Sequence, residues 1–467
     1  MVIRRRSCAL LIGLILTGCQ PSLPQLTARL ENEGAVYLYL QPLPREAERL
    51  RMSIEAVAAV PRDGSERPIP VLLRELAGED ARRQRLLAAG ALPAGDYTGF
   101  AIRTGRASLR GEAGRSPAPA PEAVAKVDFP FTVRRRDGQV VLLTLDPAES
   151  RSGDRLDPVF SAAAPRRPAV GHVAFVANSR SSDVTVFDKK SLDVFDVVVT
   201  GRQPAGMALD RRARKLYVAL AGDAGVDVVD VFAGQVTERF TLTPGDEPAA
   251  LALTPDGRTL LSANRGSNTV SILDTASGFE VARLPVGNGP RFVVIDPTGR
   301  GAFVFNSLSN TVSVIDIAGR TAVRTIATDP APVQGAFSRR GDRLWVVHER
   351  TAFVTVINPT TLAVTGRFAI RSAMDTLAVD PGTDVVYVGG RREFAVGVYD
   401  PLSFAAVDFI DTGAGVAHIA VDSEENALYF VSPGANRVLV SHRVRKGVVG
   451  AIDVGDGPAW VSLMGER

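Results

Sequence analysis

A short apolar strand ending in an acidic or amide residue recurs along the C-terminal part of the chain at a nearly fixed interval. VTVFD ends at Asp188, VDVVD at Asp230, VSILD at Asp274, VSVID at Asp316, VTVIN at Asn358, VGVYD at Asp400 and VLVSH at His442. These positions step by 42 residues, with one step of 44. A second column, Phe175, Tyr217, Leu261, Phe303, Trp345, Tyr387 and Tyr429, keeps the same spacing. Composition does not produce seven such units. A period of about 40 residues made of short alternating strands calls for one four-stranded sheet per repeat, each packed on the next.

The repeat resembles the YVTN-type β-propeller family. LYVA at Leu216–Ala219, FVANS at Phe175–Ser179, SNTVSVID at Ser309–Asp316 and TPDGR at Thr254–Arg258 carry the resemblance. It implies an all-β, seven-bladed propeller over residues 170–467 and names no ligand. The physical reading agrees: TPDGR, DPTGR and SRRGD are tight turns whose glycine takes a positive φ, and the Asn-x-x-Ser-Asn stretches offer amide groups to their own backbone. The aspartates closing the third strand of each unit are read as turn caps, not as metal ligands. The repeat opens on a second strand (His172–Asn178) and ends on GPAWVSLMG (Gly457–Gly465), which matches the first strands of other units. This phase predicts a one-plus-three splice in which the last strand completes the first blade and removes exposed sheet edges.

Ahead of the repeat, residues 26–150 alternate in short bursts such as VYLYLQP and KVDFPFTV, separated by turns at Arg62-Asp63-Gly64 and Arg136-Asp137-Gly138. The pattern predicts a β-sandwich, and Leu92–Ile102 (LPAGDYTGFAI) resembles prealbumin-type or carboxypeptidase-regulatory-like sandwiches. Leu72–Gly90 alone has helical composition, divided by Gly78. RLLAAG (Arg85–Gly90) and Arg134–Arg136 are read as solvated faces. Residues 151–169, rich in Ser, Ala, Pro and charge, are expected to be an interdomain linker.

The N-terminus has the form of an export signal: a basic MVIRRR, an apolar run and Leu16-Thr17-Gly18-Cys19. Leu-Thr-Gly-Cys resembles the lipobox of bacterial lipoproteins, which implies a signal peptide over residues 1–18, lipid on Cys19, a tether over residues 19–25 and an anchor in the membrane. Gln20 after the cysteine favours the outer membrane by the same resemblance. Only two cysteines occur, Cys8 and Cys19, so the mature chain has no disulfide and no cysteine-based metal or haem motif. The formal net charge of +3 owes three positive charges to Arg4, Arg5 and Arg6. The near-neutral remainder lacks the electrostatic footprint of a nucleic-acid binder.

Comparing the first strands of the units exposes exceptions to a small-residue background. Aligned on Pro204, Pro248, Pro290, Pro332, Met374, Val416 and Pro458, the residues four positions on are almost all Ala or Ser (Ala208, Ala252, Val294, Ala336, Ala378, Ala420 and Ser462), whereas the first two positions carry Arg291, Gln334, Asp375, His418 and Trp460 in four of the later units and the last. The symmetry gathers these five near one end of the axis and makes them the candidate ligand-binding set. The alternative is structural: an Arg291–Asp375 pair, with His418 and Trp460 filling space between blades. HExxH, GxSxG, Walker and GxGxxG motifs are absent from the sequence, and no cofactor or metal is expected. The leading expectation is a lipid-anchored envelope protein using its propeller to bind a protein or cell-envelope partner. The alternative is an envelope enzyme, a lactonase-like hydrolase or an oxidoreductase subunit, with its site at the channel mouth.

Overall fold

The computed structural model describes residues 30–43, 50–77, 82–109, 118–119, 123–152, 155–445 and 447–465. The export segment, Cys19, the tether, Gly78 and most of the Ser116–Ala123 loop lie outside the described residues. Among those described, the chain from Val173 onward forms seven four-stranded antiparallel sheets, I to VII in chain order. In each, strands a to d follow one another from the inside out. In sheet II they are Pro204–Asp210, Lys215–Leu220, Gly225–Asp230 and Gln235–Thr241. The a strands of III to VII are Pro248–Leu253, Pro290–Ile295, Pro332–Phe337, Thr376–Val379 and His418–Asp422. Each a strand touches the next, and the series closes on itself into a ring.

The closing strand is the last in the chain. Pro458–Leu463 pairs antiparallel with Val173–Asn178, placing Ser462 opposite Phe175 and Trp460 opposite Ala177, and so serves as strand a of sheet I. Strands b are buried on both faces. In sheet II, Leu216 joins a core shared with sheet I, while its neighbour Tyr217 joins the core shared with sheet III. Alternate residues thus serve two different interfaces, which explains apolar runs such as KLYVAL and GAFVFN where a half-exposed strand would alternate with polar residues.

Short polar side chains fix the turns. Asp230 Oδ1 accepts the N–H groups of Phe232 and Ala233 at 2.8 and 2.7 Å, and Asp400 does the same for Leu402 and Ser403. These aspartates are turn caps. The amides of the b-to-c turns differ from expectation: Asn268, Asn310 and Asn436, all at positive φ, reach past their own turn. Their Oδ1 atoms accept from Gly289, Ala331 and Gly457 at 2.8, 2.9 and 3.1 Å, each at the entry to the next sheet's a strand. Each turn is therefore a clamp between neighbouring sheets.

The N-terminal residues form two sheets over one core. An inner sheet orders Val159–Ala163, Gly138–Asp146, Glu33–Leu40 and Arg85–Pro93; an outer one orders Arg67–Ile69, Leu50–Pro61, Gly95–Leu109 and Ala123–Val133. Three sequence expectations fail here: the helical segment, the solvated RLLAAG face and the strandless linker. Leu72–Gly90 contains no helix among its described residues: Arg85–Pro93 is a strand, and RLLAAG is buried or half-buried. Leu87 and Ala88 face the core between the two sheets, while Leu86 faces the ring. A strand buried on both faces loses its alternation and reads like a helical segment. Likewise Val159–Ala163, within the expected linker, pairs with Leu142–Asp146 of the inner sheet.

The inner sheet lies against the outer strands of sheets I and VII. Along Glu33–Leu40, Val36, Leu38 and Leu40 enter the core between the N-terminal sheets, while Ala35, Tyr37 and Tyr39 pack with Val194, Val197, Ile452 and Val454 of the ring. Polar bonds frame this contact. The Tyr37 hydroxyl donates to Asp183 Oδ2 at 2.9 Å. The Gln84 amide both donates to Val194 O (3.1 Å) and accepts from Val194 N (2.7 Å), completing a ladder edge. Asp453 receives Arg83, Arg85 and Arg437 at 2.8, 2.8 and 3.0 Å.

Deleting Ala459–Arg467 tests the ring closure. The cut removes the buried side chains of Val461, Leu463 and Met464, worth roughly 5 kcal/mol together at typical burial values, and reopens an edge. A melting transition lowered by many degrees is expected in calorimetry; an unchanged one would show that the ring does not depend on this strand.

Candidate functional site at the ring axis

The five candidate residues all sit at the start of a strands, yet each has an internal partner or stack. Arg291, after Pro290 in sheet IV, donates from Nη1 to Glu349 Oε2 at 2.6 Å. Asp375, entering sheet VI, accepts Arg391 N on Oδ1 at 3.0 Å, with Arg391 Nε 3.9 Å from Oδ2. Burial raises the Asp375 pKa above the usual carboxylate value, against the opposing charges of Arg391 and Arg291. The two residues therefore feel each other's charge, but their closest ionic partners are Glu349 and Arg391.

Gln334 and His418 perform one task twice. Gln334 Oε1 accepts the N–H of Leu377 at 3.2 Å, and His418 Nδ1 accepts the N–H of Val461 at 3.4 Å. In both cases the partner lies 43 residues on, at the same position of the following a strand. A polar acceptor at this column thus ties one a strand to the next where main-chain pairing between sheets is lacking. His418 is buried, and the loss of solvation pushes its pKa down to about 3. The imidazole is neutral, accepts at Nδ1 and keeps its proton on Nε2.

Aromatic rings bridge the axis. The His418 and Trp460 rings stack at 4.0 Å, Trp460 and Phe292 at 5.6 Å, and Phe292 meets Phe305 edge-on at 5.8 Å. Phe292 belongs to sheet IV and Trp460 to sheet I. Sheets II and III separate them on one side of the ring and V to VII on the other, so their contact crosses the centre. On the a-to-b turn side of this stack lies a cavity of about 580 Å³, with Gln334 and Trp460 in its wall. Leu253, Ile295, Phe337, Val379 and Val421 line it.

Those five residues belong to a column not singled out from the sequence. Five positions after the seven aligned residues Pro204, Pro248, Pro290, Pro332, Met374, Val416 and Pro458 stand Leu209, Leu253, Ile295, Phe337, Val379, Val421 and Leu463, apolar in every unit. The signal was present in the repeat, but a uniformly apolar column looks like core until it is known that all of it except Leu463 is only partly buried. Arg291, Asp375 and His418 do not line this cavity. Among the described residues, no three His, Cys, Asp or Glu side chains gather to hold a metal ion.

Comparison with known proteins concerns the fold alone. No protein-family profile matches the sequence, and no curated protein matches it. Solved structures do. Hydrazine synthase of Kuenenia stuttgartiensis aligns with a TM-score of 0.54 at 22% identity, over 58% of this chain and 92% of that one. A functionally unknown protein of Desulfotomaculum acetoxidans aligns with a TM-score of 0.56 at 14% identity, over 63% and 100%. The dihydro-heme d1 dehydrogenase NirN, solved in complex with DHE, aligns at 0.51 and 15% identity, over 65% and 78%. The chain contains a β-propeller. Identities this low carry the scaffold and not its chemistry.

The buried imidazole sets a pH dependence. A histidine whose pKa is lower folded than unfolded binds its proton preferentially in the unfolded chain. Stability therefore falls as pH drops below the unfolded value of about 6.5, by up to about 1.4 kcal/mol per unit until the folded value is reached. His418→Gln, which retains an acceptor, is expected to flatten this part of the stability profile in denaturant titrations between pH 7 and 4. An unchanged slope would place the titrating group elsewhere.

Proposed function

We propose that the protein is an exported, lipid-anchored binding protein of the cell envelope: a β-sandwich and a seven-bladed, YVTN-type propeller joined as one rigid interaction platform. Residues 1–18 are its export signal, and Cys19 carries the lipid that holds it to the outer membrane. The proposal is carried by the engagement of the axial charged and titratable groups in internal contacts. Arg291 meets Glu349, Asp375 meets Arg391 and Gln334 and His418 tie neighbouring a strands. A general base needs a free lone pair directed at substrate and a pKa near the working pH; His418, at about 3 and with Nδ1 engaged, has neither. What the molecule offers a partner is a shaped surface on a stiff frame, which limits the ordering cost of binding.

The test combines three readouts. Labelled palmitate is expected on the wild-type protein and not on Cys19→Ser. The mature chain is expected to retain a protein or cell-envelope component in stoichiometric amount, and to keep it when Arg291 and His418 are replaced by Ala without loss of folding. Lactone hydrolysis or redox turnover by the purified chain, abolished by those same substitutions, would contradict the proposal and favour an enzyme.

A further inference from the structure

The junction between the N-terminal sheets and the ring holds a groove of about 1040 Å³. One wall is the turn Arg134–Asp137, which carries the chain from the outer sheet into the inner one, together with Glu31; the other is strand d of sheet II at Gln235–Arg239. The floor is Val198–Gly201 at the end of sheet I.

The charges of the two walls differ in one respect. On the ring side they are compensated: Arg239 Nε lies 2.6 Å from the fully buried Asp227, and Arg202 Nε 2.5 Å from Asp223. On the turn, Arg134, Arg135 and Arg136 are exposed, and no ion pair joins them to a carboxylate among the described residues. Their charge stays in solvent, in a wall that also carries the exposed carboxylates of Glu31 and Asp137.

The backbone beneath these arginines is fixed. Arg136, at φ +57°, donates its N–H to Glu33 O at 2.9 Å, and Asp137 O accepts from Ala35 N at 2.9 Å. Gly34 passes so close under the turn that a Cβ there would lie 2.2 Å from Arg134 O. On the far side Gly138 packs on the main chain of sheet I, where a Cβ would lie 2.0 Å from Val197 O. Three consecutive guanidinium groups thus stand on a rigid turn at the edge of a cleft. Planar five-donor cations of this kind match phosphate oxygens in paired hydrogen bonds.

We propose that this groove binds the phosphate groups of anionic membrane lipids through Arg134, Arg135 and Arg136. The source of the phosphate rests on the lipid-anchor reading. Glu31, in the groove wall, follows Cys19 by twelve residues, a reach of at most about 40 Å fully extended. An anchor at Cys19 would therefore hold the groove close to the headgroup layer and raise its effective concentration there. Lipid contact at the junction would orient the ring relative to the membrane, which a single flexible tether does not do.

The test uses the acyl-free mature chain from Gln20 onward, so that binding does not come from the anchor. It is mixed with vesicles of phosphatidylcholine alone or with a third phosphatidylglycerol, and sedimented. Binding to the anionic vesicles alone is expected. Replacing Arg134, Arg135 and Arg136 together by Gln should weaken it on the order of tenfold or more with the melting transition unchanged. Replacing Arg258, Arg350 and Arg392, exposed arginines of the ring, by Gln should leave it intact. No binding to anionic vesicles, equal loss in both triple variants, or retention of inorganic pyrophosphate without vesicle binding would each overturn the proposal. Absence of palmitate on Cys19 together with intact vesicle binding would instead fail the anchor and leave the groove standing.

Discussion

The sheet containing Glu33–Leu40 has no face exposed to water in its centre, and the architecture of the molecule follows from that. One face completes the core of the N-terminal unit; the other completes the apolar layer between sheets VII and I. Asp453 marks the polar edge of this contact. Its burial alone would raise its pKa, but the charges and hydrogen bonds of Arg83 and Arg85 outweigh that and hold the carboxyl below its ordinary value. Removing a carboxylate from water costs several kcal/mol and is tolerated only where donors replace the lost solvation. Three guanidinium groups and the Leu86 N–H, at 3.3 Å, do so here. Two of the three arginines come from the N-terminal unit, so docking both buries this carboxylate and supplies most of the donors that compensate it.

The parts of the fold that repeat were legible in the sequence because every ring sheet solves the same problem. The 42-residue columns recur in all seven units, and the turn glycines and capping aspartates, each present in several of them, answer to a local rule of the same kind. The misread parts answer to contacts made once. Arg85–Pro93 serves two cores and therefore lacks alternation, so composition suggested a helix. Val159–Ala163 has linker-like composition but adds a strand to the inner sheet. Asn268 and Asn310 read as turn residues in the sequence, but their acceptors reach a strand entry in the next sheet, which only the packed ring brings near.

The candidate site was legible in the same partial way. The exceptions Arg291, Gln334, Asp375, His418 and Trp460 do gather around the axis, because symmetry places equivalent positions together. Their chemistry depends on partners outside the aligned column: Glu349 and Arg391 for the charges, Leu377 and Val461 for the acceptors, Phe292 for the indole. Gln334 and His418 differ in residue type yet occupy one structural role, which a search for unusual side chains naturally mistakes for reactivity. The arginines of the β-turn at Arg134–Arg136 show the converse. A run of three charges is unremarkable in sequence and gains meaning only from the groove that the docked ring builds opposite it.

Both the shared apolar layer and the groove at the junction require the N-terminal unit and the ring to move as one body. Because the sequence has no cysteine after Cys19, spin labels can be placed cleanly at Thr98→Cys on the outer sheet and Thr321→Cys on sheet IV, both exposed, in a chain beginning at Gln20. Double electron–electron resonance between them should give a single narrow distance distribution, broadened when Asp453→Ala and Gly138→Val are combined to remove the charge hub and force the backbones apart. A broad or multiple distribution in the chain that retains Asp453 and Gly138 would contradict the account.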